Sequence, residues 1–171
     1  MKKFILFSSA LFVIGMIQAQ VPTNLKLVDS TITFKNLSES LTKGSLIKTA
    51  NFHFYELNDK INQKSMYPNP EILVYQDGKK FKMKIQGIEK LLIVNRLQEV
   101  IESNIDGNFK GYDGNSSFSL MNGQDWKQDY TTGNVFANLF RPAVTIYLSS
   151  EGYKMKIEGL NEDPILVRKI R

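Results

Sequence analysis

The chain writes nearly the same seven residues twice, as Phe81-Lys82-Met83-Lys84-Ile85-Gln86-Gly87 and as Tyr153-Lys154-Met155-Lys156-Ile157-Glu158-Gly159. Sliding the sequence by 72 positions aligns Pro70 to Arg96 with Pro142 to Arg168 without a gap. Pro70, Tyr75, Lys82, Met83, Lys84, Ile85, Gly87, Ile93 and Arg96 all recur, and six further positions are conservative exchanges. A weaker echo, Val28-Asp29-Ser30-Thr31-Ile32 against Ile101-Glu102-Ser103-Asn104-Ile105, extends the repeat at an offset of 73. Repetition at a fixed period means that one structural unit is used twice, so whatever folds the first copy must also fold the second.

The repeated words read as strand. Phe81, Met83 and Ile85 alternate with Lys80, Lys82, Lys84 and Gln86, a period of two with one buried and one wet face. Asp77-Gly78 is a two-residue hairpin signal, and with it at the turn Val74 faces Phe81, Ile72 faces Met83 and Tyr75 lies against Lys80. Gly87 to Ser103 taken alone looks helical. Its partner carries Pro164 at the position of Leu92, however, where a helix interior would lose about 3 kcal/mol. Leu92 to Leu97 is therefore expected as a strand, with at most a short helical turn near Gln98 to Ile101.

Seven of the 11 glycines fall between Gly107 and Gly159, punctuating short apolar segments as turns do in a small barrel. Phe118 and Leu120 lead into Asn122-Gly123, with Trp126 returning and Gly123 expected in the left-handed region. Tyr130 to Ala137 reads as a long loop. Between Lys35 and Met66 only Ala50 to Leu57 has the aromatic density of a strand.

These patterns predict an all-β fold of two tandem small antiparallel β-barrels from an internal duplication, residues 28–97 and 98–171, packed on each other. Units of about 70 residues stand near the lower edge of independent stability. One larger β structure built from both halves, or an α+β fold with a helix from Gly87 to Ser103, are the alternatives.

Ahead of the first copy, Lys2 and Lys3, the apolar run Phe4 to Ile17 and Gln18-Ala19-Gln20 have the order of an export signal, with cleavage expected after Ala19. Residues 20–27 would form a loosely held lead-in. The apolar run is shorter than the roughly 20 residues that span a bilayer as a helix, so no stable membrane span is expected after the signal is removed. A secreted or periplasmic location follows, with no disulfides because the chain has no cysteine. Losing Lys2 and Lys3 takes the net charge from +5 to +3, too modest to argue for a nucleic-acid partner.

Catalytic signals are weak. His53 is the single histidine and sits among aromatics. Ser40-Leu41-Thr42-Lys43 and Ser45-Leu46-Ile47-Lys48 fit a Ser-x-x-Lys pattern without its companion motifs. Asp106 to Asn115 has the flavour of a calcium loop, but Lys110 and Ser117 occupy positions that need oxygen ligands, and turn chemistry explains the same residues. His53, Glu56 and Asp59 could share a metal only on a helix. No cofactor, metal or catalytic residue is therefore expected. The surface feature that recurs is lysine beside tyrosine: Lys82, Lys84 and Tyr75 in one copy, Lys154, Lys156 and Tyr147 in the other, with Tyr112 and Tyr130 as further exposed aromatics. Lysines on solvent-facing strands commonly serve solubility. As a functional surface, the same residues would bind an exported protein or an envelope polymer, making this a non-enzymatic binding protein. A small secreted enzyme with an unrecognised site is the alternative.

The run Ile105-Asp106-Gly107-x-Phe109-x-Gly111-Tyr112-x-Gly114, followed by Phe118-x-Leu120-x-Asn122-Gly123-Gln124-x-Trp126-x-Gln128, Pro142-x-Val144-x-Ile146 and the lysine repeat, resembles uncharacterised small β-barrel domains of bacterial secreted and cytoplasmic proteins. The resemblance spans roughly Glu102 to Arg168 and implies a barrel similar to the Src-homology-3-like class and a bacterial origin. It implies no activity, because such folds host many functions.

Overall fold

The structure, a computed structural model, describes residues 25–33, 41–61, 63, 65–129 and 134–171. Every regular element among them is a strand. The first half contributes β1 (Lys26–Ile32), β2 (Leu46–Lys48), β3 (Phe54–Leu57), β4 (Glu71–Asp77), β5 (Lys80–Ile85) and β6 (Leu92–Leu97). The second contributes β7 (Val100–Asn104), β8 (Asn108–Tyr112), β9 (Ser117–Ser119), β10 (Asp125–Gln128), β11 (Val135–Phe140), β12 (Ala143–Ser149), β13 (Gly152–Ile157) and β14 (Ile165–Lys169).

Two six-stranded antiparallel sheets result, in the orders β1-β4-β5-β6-β3-β2 and β7-β12-β13-β14-β10-β9. Replacing each strand of the first by its sequence counterpart reproduces the second. The registers match as well: Val74 pairs with Met83 where Ile146 pairs with Met155, and Ile72 with Ile85 where Val144 pairs with Ile157. Both sheets curl until their outer strands meet at one end, through the bridges Thr33 to Thr49 and Ile105 to Leu120. Each encloses its own core, with Met83 and Met155 fully buried at equivalent points. Burying a side chain of that size stabilises by about 1.5–3 kcal/mol, so the alternation of the repeated strand decides which face turns inward.

The hairpin register differs by two residues from the expected one. Asp77 pairs with Lys80, so Gly78 and Lys79 form the loop, and Val74, Ile72 and Tyr75 face Met83, Ile85 and Lys82. Gly78 takes φ of 61°, the left-handed angle needed at the first central position of the turn, which leaves Asp77 in the strand. A shift of two keeps every side chain on its expected face.

Leu92–Leu97 is a strand, as Pro164 suggested, but the gapless alignment needs correction. Met83 pairs with Leu92 and Met155 with Ile165, which makes the β13–β14 connection one residue longer than its counterpart and the offset 73 beyond it. Pro164 thus falls just before its strand, where a missing N–H costs no ladder bond. Three further expectations fail at element edges. Lys26 and Leu27 belong to β1 rather than to a lead-in, β7 begins at Val100 where a helical turn was allowed, and Ala50 to His53 form the turn before β3.

In the second half β8 and β11 form a separate two-stranded ribbon laid over the core. Phe109 and Tyr112 face inward from one strand, and Val135, Ala137 and Leu139 from the other. The β8 side chains lose strict alternation at Gly111, whose φ is 110° and where a Cβ would stand 1.8 Å from the Val135 carbonyl oxygen. Only glycine allows the two backbones that close. In the first half the described residues include a bridge from Leu41 to Gln63, with Leu41 buried in the core.

Candidate binding surfaces

The tyrosines of the repeated lysine and tyrosine face are not on a wet surface. Tyr147 is fully buried, Tyr75 is 8% exposed and Tyr112 6%. Tyr112 points inward from β8 because that strand lines the second core. At Tyr75 and Tyr147 both faces of the strand are covered, since each follows a core residue, Val74 or Ile146, that is itself buried. For Tyr147 the cover comes from the other half: its hydroxyl donates to Glu56 Oε1 on β3 at 3.1 Å. Burial raises the pKa of that hydroxyl, and the neighbouring Glu56 carboxylate raises it further. Beside it, Lys48 on β2 pairs with Glu102 on β7 at 2.6 Å. The face expected to meet solvent is here a seam between the two halves. Tyr130 lies outside the described residues.

All four lysines are tethered, Lys82 and Lys154 through carboxylates at different positions of their hairpins. Lys82 pairs with Asp77 at 3.2 Å and Lys154 with Glu151 at 2.7 Å. Hydrogen bonding to Lys154 holds the Glu151 carboxyl below its ordinary pKa. Lys84 donates to the Glu89 carbonyl and Lys156 to the Glu162 carbonyl, so each ties the strand to the connection that follows it.

Among the described residues no group of three or more His, Asp or Glu side chains could hold a metal ion. His53 Nδ1 lies 2.9 Å from Asp29 Oδ2, and Asn51 Nδ2 donates to Asp29 Oδ1 at 2.7 Å. Asp29 thereby braces the β2–β3 turn against β1. Burial would raise the pKa of Asp59, but hydrogen bonds from the Ile93 N–H at 2.6 Å and from Lys90 Nζ at 2.9 Å bring it below the ordinary value. Ser45 Oγ accepts from Thr42 N–H within its own turn, and Ser40 lies outside the described residues. The segment that resembled a calcium loop is largely β8, and Asp113 accepts from Ser116 Oγ and Asn115 N–H to shape the following turn.

Sequence reasoning missed the surface that the structure presents most openly. Where a loop was expected to Ala137, β11 begins at Val135, and its outward residues are Phe136, Asn138 and Phe140. Phe136 is 93% exposed and Phe140 71%, with the Arg141 guanidinium 5.3 Å from the Phe140 ring centre. Among the described residues β11 pairs with β8 alone, with a register shift between Phe136 and Leu139. A period-two signal was present in Val135-Phe136-Ala137-Asn138-Leu139-Phe140. Large apolar residues on both faces hid which side was wet.

Comparison with protein-family models, with curated proteins and with solved structures gives no match to this chain.

Proposed function

We propose that this is an exported, non-enzymatic binding protein, built from two tandem Src-homology-3-like barrels that arose by duplication and released to the periplasm or the exterior once residues 1–19 are removed. The matching strand orders, registers and closing bridges of the two sheets support duplication, and the order of charge, apolar run and small residues at the amino terminus supports export. The observation that carries the binding reading is β11, where two phenylalanines stand in solvent on a strand that, among the described residues, is paired along one edge only. Exposed apolar surface beside unpaired backbone is the arrangement by which sheets recruit an additional strand. The partner class is another exported protein or an envelope polymer. A Ser-His-Asp arrangement would have to pass through His53, the single histidine, whose neighbour Asp29 has both oxygens engaged in bracing the turn.

The test places a benzophenone-bearing phenylalanine analogue at position 136 of the mature chain and irradiates it in an envelope extract. A covalent adduct that disappears when Phe140 is also changed to Ser is expected. Irradiation that yields no adduct counts against a binding role for β11. Changing Lys82, Lys84, Lys154 and Lys156 to Ala in the same experiment shows whether those lysines contribute to capture.

A further inference from the structure

The ribbon turns a face of mixed chemistry outward. Its outward residues are Asn108 and Lys110 on β8, and Phe136, Asn138 and Phe140 on β11. Phe136 pairs with Gly111 and Phe140 with Asn108, so Phe136 has no side chain opposite it and stands 93% exposed. Between these pairs the register shifts, and Ala137 and Asn138 both fall opposite Lys110. A bulge of this kind bends the strand and breaks its ladder, while the face keeps both rings outward.

Size and charge decide what such a face can hold. Two phenylalanine rings offer about 300–500 Å², and the residues between them are polar. A specific protein partner covers about 800 Å² on each side, with apolar anchors at its centre. A bilayer makes no such demand, because single aromatic side chains enter the boundary between headgroups and acyl chains to a depth of about 5–10 Å. Cations flank the rings: Lys110 lies between the rows of Phe136 and Phe140, and the Arg141 guanidinium is 5.3 Å from the Phe140 ring centre. Arg141 also lies 3.6 Å from Asp106, but both side chains are exposed and such a pair contributes little. Asp113, one residue beyond β8, is committed to its own turn through Ser116 and Asn115.

We infer that this face seats the protein on an anionic lipid bilayer, with Phe136 and Phe140 entering the boundary region and Lys110 and Arg141 against the lipid phosphates. The inference rests on the reading of β11 as a contact surface and goes beyond it by assigning that surface to lipid. Neither ring belongs to a core, so both can leave water without any change in the fold.

The test is flotation of the chain beginning at Gln20 with vesicles of phosphatidylcholine and phosphatidylglycerol in equal parts. The chain is expected to float with them, and less so as salt is raised. Changing Phe136 and Phe140 together to Ser should lower partitioning at least about 100-fold. Changing Lys110 and Arg141 together to Gln, or using vesicles of phosphatidylcholine alone, should lower it about 30-fold. Circular dichroism of the Ser variant should be unchanged, since both side chains are outside the core. Phe136→Trp gives a second readout: its emission should shift to the blue on binding and be quenched by bromine on the acyl chains, whereas the native Trp126, 1% exposed, should not respond. A chain that fails to float at millimolar lipid, or floats equally well after both Ser changes, overturns the inference. The photo-adduct separates it from the broader reading: an adduct with a protein or polymer, without vesicle binding, overturns the lipid assignment and leaves binding standing, whereas neither adduct nor vesicle binding removes both.

Discussion

The two halves close their curled sheets at the same place with opposite chemistry. The second joins its outer strands through Ile105 and Leu120, both apolar and buried, and covers the core with the β8–β11 ribbon. The first uses Thr33 and Thr49, also buried. Thr49 is satisfied, because its hydroxyl lies 3.3 Å from the His53 carbonyl and 3.2 Å from the His53 N–H. Thr33 Oγ1 is buried without a hydrogen-bond partner. The β2–β3 turn shows the same divergence: Phe52 takes φ of 60° where the corresponding turn of the second half has Gly123 at 81°. An L-residue in that region costs about 1–2 kcal/mol. The hairpins β4–β5 and β12–β13 show no such departure, pairing residue for residue in the same register from Ile72 to Lys80 and from Val144 to Gly152.

The largest expected effect breaks the β8–β11 ribbon, which the described residues show in the second half. Gly111→Val would drive a side chain into the Val135 carbonyl and require a strained φ, at a cost of at least about 4 kcal/mol. Urea unfolding should then show the second half destabilised and the ribbon amides exchanging freely. If stability were unchanged, the close approach of β8 and β11 would be wrong.

Met83→Ala and Met155→Ala test whether the halves are equivalent where they look most alike. Each removes a fully buried side chain from the same register and should cost about 2–5 kcal/mol. Calorimetry distinguishes two cases: one shared transition lowered by either change, or two transitions of which each variant lowers its own.

The seam is probed by pH. Because the folded-state pKa of Tyr147 is raised above its ordinary 10.0, its contribution to stability is fully present below that pH. It is lost as pH rises through the folded value, because the unfolded chain can ionise and the buried hydroxyl cannot. Tyr147→Phe should therefore flatten the loss of stability above pH 10 and cost about 1 kcal/mol at neutral pH through the missing bond to Glu56. Identical alkaline profiles for the two proteins would show that the seam does not shield Tyr147.

The smallest effect has the opposite sign. Thr33→Val carries the apolar closure of the second half into the first and removes an unsatisfied hydroxyl at nearly constant volume, so it should stabilise by about 1 kcal/mol. A loss of stability in chemical denaturation would mean that Thr33 Oγ1 has a partner after all.

Strand identity was legible in the sequence wherever alternation and repetition agreed. The period-two pattern of Phe81, Met83 and Ile85 determined an inward face, and the aligned segment with Pro164 pointed to strand rather than helix for β6. Both depend on local chain geometry and on the cost of burying the wrong side, so each can be read one strand at a time. Register was less secure, because a slip of two residues preserves every inward side chain and only the placement of Gly78 selects between the two. The surface character of the tyrosines could not be read at all. Alternation says that Tyr147 leaves the core of its own sheet, but whether it then meets water or Glu56 depends on how the second half docks on the first. For Phe136 and Phe140 the same ambiguity resolved the other way, since Val135, Ala137 and Leu139 pack on the core and leave Phe136 and Phe140 on the exposed face of the ribbon. Local sequence determined the strands and their inner faces; the packing of sheet on sheet, a non-local choice, decided which outer faces remained exposed.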